Sequence, residues 1–178
     1  MTPHRFGHRL AVPDDLEALT SLMDAAIAEL QQGFLSEEQI AASRAIMGLD
    51  TQLIQDRTYF VVEHEGQVAG CGGWSRRATL YGGDRTPGRD AALLDPSKDA
   101  ARVRAMYTDP SFARQGVGRL ILSLCEAAAR AEGFRRVELM ATLAGEPLYR
   151  ACGYQSDAEL VDDRGGEPVP LRRMHKAL

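Results

Sequence analysis

The run that most constrains this 178-residue chain is Asp109-Pro110-Ser111-Phe112-Ala113-Arg114-Gln115-Gly116-Val117-Gly118-Arg119. Just upstream, Arg102 to Thr108 reads as a strand that Asp109-Pro110 stops. Downstream, a helix is predicted from Gly118 to Glu132, with Leu120, Leu124, Ala127, Ala128 and Ala131 on one face and Gly133 as its stop. The first N–H groups of such a helix have no internal acceptor and lie at the positive end of its dipole. Without Cβ atoms at Gly116 and Gly118, an anion can approach that backbone closely, and a pyrophosphate is the natural guest. The competing reading is a tight turn and nothing more. A dinucleotide fingerprint does not fit, because the third glycine is missing and the run sits late in the chain. A P-loop does not fit either, for want of Gly-Lys-Ser/Thr.

Other elements surround this turn. His8 to Val12 reads as a strand closed by Pro13, with Asp14 or Asp15 placed to cap the following helix. That helix carries Leu16, Leu19, Leu22, Met23, Ala26, Ile27 and Leu30 on one face and ends at Gly33. Ser36 and Gln39 form a capping box for a second helix running to about Ile46. Tyr59–Glu63 and Gln67–Trp74 flank Glu65-Gly66 as a hairpin. Arg136–Ala141 alternates, with Val137, Leu139 and Ala141 on one side. Pro147 opens a short helix that Gly153 closes, and Val169–His175 reads as a final strand. The expected order is β-α-α-β-β-β-α-β-α-β, a mixed α/β (α+β) sheet in one domain over residues 1–178. Residues 75–101, rich in Gly, Pro, Asp and Arg, form a long loop insert.

Charge narrows the choice of partners. Lys and Arg total 21 against 25 Asp and Glu, so the net charge of 21 − 25 = −4 disfavours nucleic acid. No apolar run is long enough to span a membrane. No apolar run follows the charges of Met1 to Arg9, so no signal peptide is expected and cytoplasm is the expected compartment. Cys71, Cys125 and Cys152 contain no C-x-x-C pair, so they read as reduced thiols, with neither a disulfide frame nor a metal expected.

Ala113 to Gly118 resembles the phosphate-binding signature [Q/R]-x-x-G-x-[G/A] of the GCN5-related N-acetyltransferases, departing from it at Ala113, where Arg114 can substitute. A second stretch, Pro147-Leu148-Tyr149-Arg150-Ala151-Cys152-Gly153-Tyr154, is similar to that family's late Φ-Tyr-x-x-x-Gly-[Phe/Tyr]. With the surrounding elements, the resemblance covers nearly the whole chain. It implies a mostly antiparallel central sheet flanked by helices, acetyl-CoA as co-substrate, and an amine as acceptor. It also places main-chain groups of Met106, Tyr107 and Thr108 along the pantetheine arm. Arg114, Gln115, Gly116, Val117, Gly118 and Arg119 then surround the pyrophosphate, although Arg119 reads equally as a solvated helix residue.

The resemblance further implies that Tyr149 protonates the departing thiolate, while a half-buried aromatic is its structural alternative. An amine of pKa about 10.4 must lose its proton, at a cost of roughly 5 kcal/mol at pH 7. Glu138 is the best-placed carboxylate for that step, although an exposed strand residue is the competing reading. Cys152 lies one helical step from Tyr149, but direct transfer needs no acyl-cysteine. The 75–101 insert, with Tyr81-Gly82-Gly83-Asp84 as a mobile turn, suits a lid over the acceptor or is merely disordered. The preferred acceptor is a small-molecule or amino-acid-like primary amine. A protein lysine or N-terminus, or a non-catalytic acyl-CoA sensor, remains open, as does a homodimer.

Overall fold

The computed structural model describes residues 5–178. Its strands are β1 (Gly7–Leu10), β2 (Tyr59–His64), β3 (Gln67–Ser75), β4 (Ala101–Thr108), β5 (Arg136–Thr142), β6 (Gln155–Asp162) and β7 (Val169–Ala177). The helices are α1 (Leu16–Leu30), α2 (Glu37–Ser43), α3 (Thr51–Gln55), α4 (Val117–Ala131) and α5 (Glu146–Ala151). Short 3₁₀ turns at Pro13–Asp15 and Pro110–Phe112 lead into α1 and α4. The seven strands form one sheet in the order β1-β2-β3-β4-β5-β7-β6. Its only parallel pair among the described residues is β4 with β5.

The mixed, mostly antiparallel sheet matches expectation, and the element order gains two members, α3 and β6. The five residues of α3 are too few to show a period. β6 pairs on one edge only, and both its faces carry polar side chains, so no alternation marks it. At the start of α1 the expected cap is replaced. Asp15 reaches back to the Val12 N–H at 2.7 Å and pairs with Arg9 at 2.8 Å, and it makes no cap bond to the helix. At α2 the capping box forms as expected, Gln39 N–H to Ser36 Oγ at 3.1 Å and Ser36 N–H to Gln39 Oε1 at 3.0 Å.

Two apolar layers sandwich the sheet. On one face α1 buries Leu19, Leu22, Met23, Ala26 and Ile27 against Tyr59, Val61, Cys71 and Tyr107. On the other, α4 packs Val117, Ile121, Leu122, Cys125 and Ala129 against Val103, Val137, Leu139 and Met174. This is not the α4 face read from the sequence. Ala127 and Ala131 are exposed, because the bulkier stripe one helical step around binds the sheet instead. α4 lies tight on β3 because Gly70 and Gly72 have no side chains there. A Cβ at either would stand 2.4 Å from Val117 and 2.6 Å from Ile121.

The 75–101 insert is fastened rather than loose. Ala78 N–H donates to the Ala92 carbonyl and Thr79 N–H to the Asp90 carbonyl, each at 2.9 Å. The expected mobile turn is pinned on both sides, with Asp84 N–H on the Leu49 carbonyl and Tyr81 OH on Asp162, both at 2.8 Å. The segment therefore forms a wall across the α1 face of the sheet, reaching toward the β6–β7 hairpin.

Candidate active site

The sheet is split at its centre. β4 and β5 pair only at Ala101 with Val137 and at Arg102 with Glu138, and beyond those residues they diverge. From Val103 onward the β4 edge that faces β5 has no strand partner, so its peptide groups are available to an extended ligand. A bulge turns the strand where the gap opens. Gly73 pairs with Arg104 but Cys71 with Tyr107, leaving an extra residue on β4. Ala105 takes φ +53°, and its carbonyl accepts the buried Tyr59 hydroxyl at 2.8 Å. A non-glycine residue in that region is held only by such surrounding contacts.

Two cavities meet at this gap. The larger, about 680 Å³, runs from the start of α4 to α5. It is lined by Met106, Tyr107, Thr108, Arg114, Gly116, Val117, Gly118, Arg119 and Tyr149 among others, so nine of the predicted site residues come together there. The smaller, about 130 Å³, lies under the insert and the 46–48 segment, with Leu80, Tyr81, Arg104, Met140 and Leu171 in its walls. Met47, Met106, Tyr107, Thr142, Gly145 and Tyr149 border both.

At the α4 end, Arg114 at φ +63° and Gly116 at φ +92° curl the loop so that successive N–H groups form a concave nest for an anion. A Cβ at Gly116 would meet nothing within 4 Å, so the space before the helix is open. Gly118 has a different job from the expected one. A Cβ there would stand 2.6 Å from Leu148, so this glycine seats α5 and does not clear room for the anion. Arg114 and Arg119 are exposed and form no ion pair with a described residue, so both guanidinia are free for phosphate oxygens. Gln115 faces elsewhere. Its Nε2 donates to the Ser111 carbonyl at 3.1 Å and its Oε1 accepts from Arg5 at 2.5 Å, ties that brace the loop.

Tyr149 stands where the cavities join. Its ring packs edge-on to Tyr154, with centroids 5.9 Å apart, and its hydroxyl has as hydrogen-bond partner among the described residues only the Met106 sulfur, 3.8 Å away. Burial pushes this phenol well above its ordinary pKa, so it holds its proton. Glu138 is not part of the junction. Its carboxylate takes Arg102 at 2.8 Å and Arg173 at 3.0 Å, beyond the residues that line either cavity. Cys152 is free and partly buried, and it borders neither cavity. Sequence reading missed the Ala105 bulge, which nothing local signals. It also missed Asp50, Arg89 and Arg104, whose pairing is long-range.

Residues 20–154 match the acetyltransferase (GNAT) family. No curated protein matches the chain in sequence. Among solved structures, the chain is similar to a GCN5-related N-acetyltransferase from Rhodopseudomonas palustris. The TM-score is 0.74 at 20% identity, over 100% of this chain and 99% of that one. It is also similar to the paia N-acetyltransferase of Thermoplasma acidophilum, a complex with coenzyme A, with TM-score 0.64, 14% identity and coverage of 97% and 99%. The yncA protein of Salmonella typhimurium, solved with its cofactor acetyl-CoA, gives TM-score 0.63, 18% identity and coverage of 98% and 95%. These likenesses concern the fold. With the split sheet, the nest at α4 and a family match that spans most of its length, the chain belongs to the acetyltransferase (GNAT) family.

Proposed function

We propose that this protein transfers the acetyl group of acetyl-CoA directly to the primary amine of a small-molecule or amino-acid-like acceptor. The observation that carries the reading is the continuous path from the α4 nest, along the open edge of β4, to Tyr149, where a second, smaller cavity begins. The residues present fit the co-substrate. The nest and the free Arg114 and Arg119 suit a pyrophosphate. The peptide groups of Met106–Thr108 on the edge that faces β5 suit an amide-bearing arm. Acetyl-CoA would supply the activated acetyl group.

The chain's own groups then have distinct work. The β4 backbone holds the reacting carbonyl against fixed N–H dipoles, which stabilise charge as it develops there. Tyr149 keeps a proton at the junction, ready for the sulfur that departs. Raising the phenol by burial does not spoil that transfer, because a thiolate in the same dry place is destabilised too. No carboxylate or imidazole lines the smaller cavity among the described residues. The amine therefore loses its proton to water, and Glu138 serves to neutralise Arg102 and Arg173.

The small volume of this cavity, about 130 Å³, favours a small acceptor over a protein lysine carried on a folded surface. A reducing, cytoplasmic setting belongs to the same proposal and suits three free cysteines. The test is thiol release from acetyl-CoA with a panel of small amines and lysine-bearing peptides. Release that depends on small amines supports the reading. Release with peptides only would move the acceptor to protein, and tight CoA binding with no release would leave a sensor.

A further inference from the structure

The wall of the smaller cavity carries a cation that the transfer chemistry leaves unused. Arg104 lies on β4 just before the bulge, with its side chain 1% exposed and paired to the fully buried carboxylate of Asp50. Its Nη2 donates to Asp50 Oδ2 and, at 3.5 Å, to the Gly82 carbonyl. Its Nε and Nη1 have no hydrogen-bond partner among the described residues. Asp50 is itself shared, because its other oxygen accepts from Arg89 at 2.8 Å. The next anion, Asp84, is 37% exposed, and its Oδ1 accepts from the Thr51 N–H at 3.0 Å and from Arg89 at 3.4 Å. Asp50 is therefore shared between Arg104 and the partly buried Arg89, and the Arg104 guanidinium on the cavity wall keeps two unused donors. A buried donor without an acceptor is costly, and a charged one more so. Of the remaining walls, Met47, Leu80, Met140 and Leu171 offer apolar contact and Tyr81, Tyr107, Thr142 and Tyr149 bring hydroxyls, and none carries a counter-charge.

We propose that Arg104 sets acceptor specificity, its unused N–H groups receiving a carboxylate carried by the amine. The acceptor is then an amino acid or close analogue with a small apolar side chain. This inference rests on the acetyltransferase reading above and narrows it. Size agrees, since a cavity of about 130 Å³ is close to the ~150 Å³ that admits benzene. A side chain of about leucine size therefore marks the upper limit. The planar guanidinium fork can hold Asp50 with one nitrogen and present the others to a ligand, which an ammonium group does less well. A guanidinium in the wall also disfavours polyamines and lysine side chains, whose far ends are cationic.

The test compares matched acceptors on the wild-type protein at equal concentrations of neutral amine. The pairs are leucine with 3-methylbutylamine and valine with 2-methylpropylamine. The amino acids should show kcat/KM at least about tenfold higher, as expected when a site is built to pair with the missing group. Decarboxylated amines turning over within about threefold of the amino acids, or faster, would overturn the proposal. Arg104→Lys keeps a cation against Asp50. It should raise KM for leucine about tenfold while leaving kcat, the acetyl-CoA KM and turnover of 3-methylbutylamine within about threefold. Uniform losses on all substrates would mean that Arg104 only supports the fold. Equilibrium dialysis of labelled leucine against the CoA-saturated protein separates the two readings. Retention of leucine but not of 3-methylbutylamine, with no thiol release, would sink the acetyltransferase reading and keep the carboxylate site. Retention of neither would overturn the site as well.

Discussion

Tyr149→Phe isolates the proposed proton donor, because it removes one oxygen and keeps the ring against Tyr154. The structure sets what that removal costs. Among the described residues the hydroxyl's only hydrogen-bond partner is the Met106 sulfur at 3.8 Å, a weak acceptor, so little hydrogen-bond energy is lost. Tyr149 is only partly buried and borders the larger cavity, so deleting its weakly paired hydroxyl should change stability little. The variant should therefore melt close to wild type, where a change of 1 kcal/mol would appear as about 2–4 °C. Catalysis should move the other way. Loss of a general acid lowers kcat by roughly 10²-fold, about 2.7 kcal/mol in the transition state, with CoA affinity within about threefold. Because burial raises the phenol above its ordinary pKa of about 10, wild type should show no alkaline decline from this group below about pH 10. The assay is initial-rate thiol release beside a thermal melt and a CoA titration. A variant whose kcat stays within threefold at pH 7 would show that water protonates the thiolate and that Tyr149 only packs.

The other expectations are as direct. Gly116→Val places a β-branched residue at φ +92° in front of α4 and should weaken CoA at least about tenfold, followed by calorimetric titration with a parallel melt. Tyr81→Ala removes a wall of the smaller cavity and should raise the acceptor KM while the acetyl-CoA KM holds, whereas equal changes in both would assign Tyr81 to the fold. Glu138→Gln should lower stability by about 1–3 kcal/mol by leaving Arg102 and Arg173 unneutralised, with kcat within about threefold. With no base in the cavity, kcat/KM for the amine should climb about tenfold per pH unit from pH 6 until the free amine titrates. Asp15 and Asp56 have pKa values lowered mainly by their hydrogen bonds to Arg9 and Arg77. Their stabilisation is complete above the unfolded value of about 3.9 and fades as pH falls through the folded values. Asp56→Asn should accordingly flatten the fall in melting temperature between pH 5 and pH 3.

The site was legible where chemistry lies close together in sequence. Gly116, Tyr149 and the strand before the glycine turn belong to contiguous runs, and the structure gathers them around one cavity. Reading was less sure where packing chooses between equivalent patterns. α4 offers two apolar stripes, and only contact with Gly70 and Gly72 decides that Val117 and Ile121 face the sheet. The same holds for Gly118, whose missing side chain makes room for Leu148, a residue 30 positions away in the chain. β6 escaped notice because an edge strand with polar side chains on both faces has no period to detect. The wall of the smaller cavity was out of reach for a different reason. Asp50 and Arg104 lie 54 residues apart, and a buried pair with long sequence separation leaves no local trace. The insert looked mobile because its composition is that of a loop, and its anchors, the Leu49 and Ala45 carbonyls and Asp162, belong to other elements.

The central claim is direct transfer at the junction of the two cavities, and a quenched single turnover with isotope-labelled acetyl-CoA and leucine tests it most directly. The account predicts that label leaves the thioester and appears on the amine nitrogen at the same rate, with no labelled protein at any time. Label that accumulates first on Cys152 or Tyr149, or label that never reaches an amine, would contradict it.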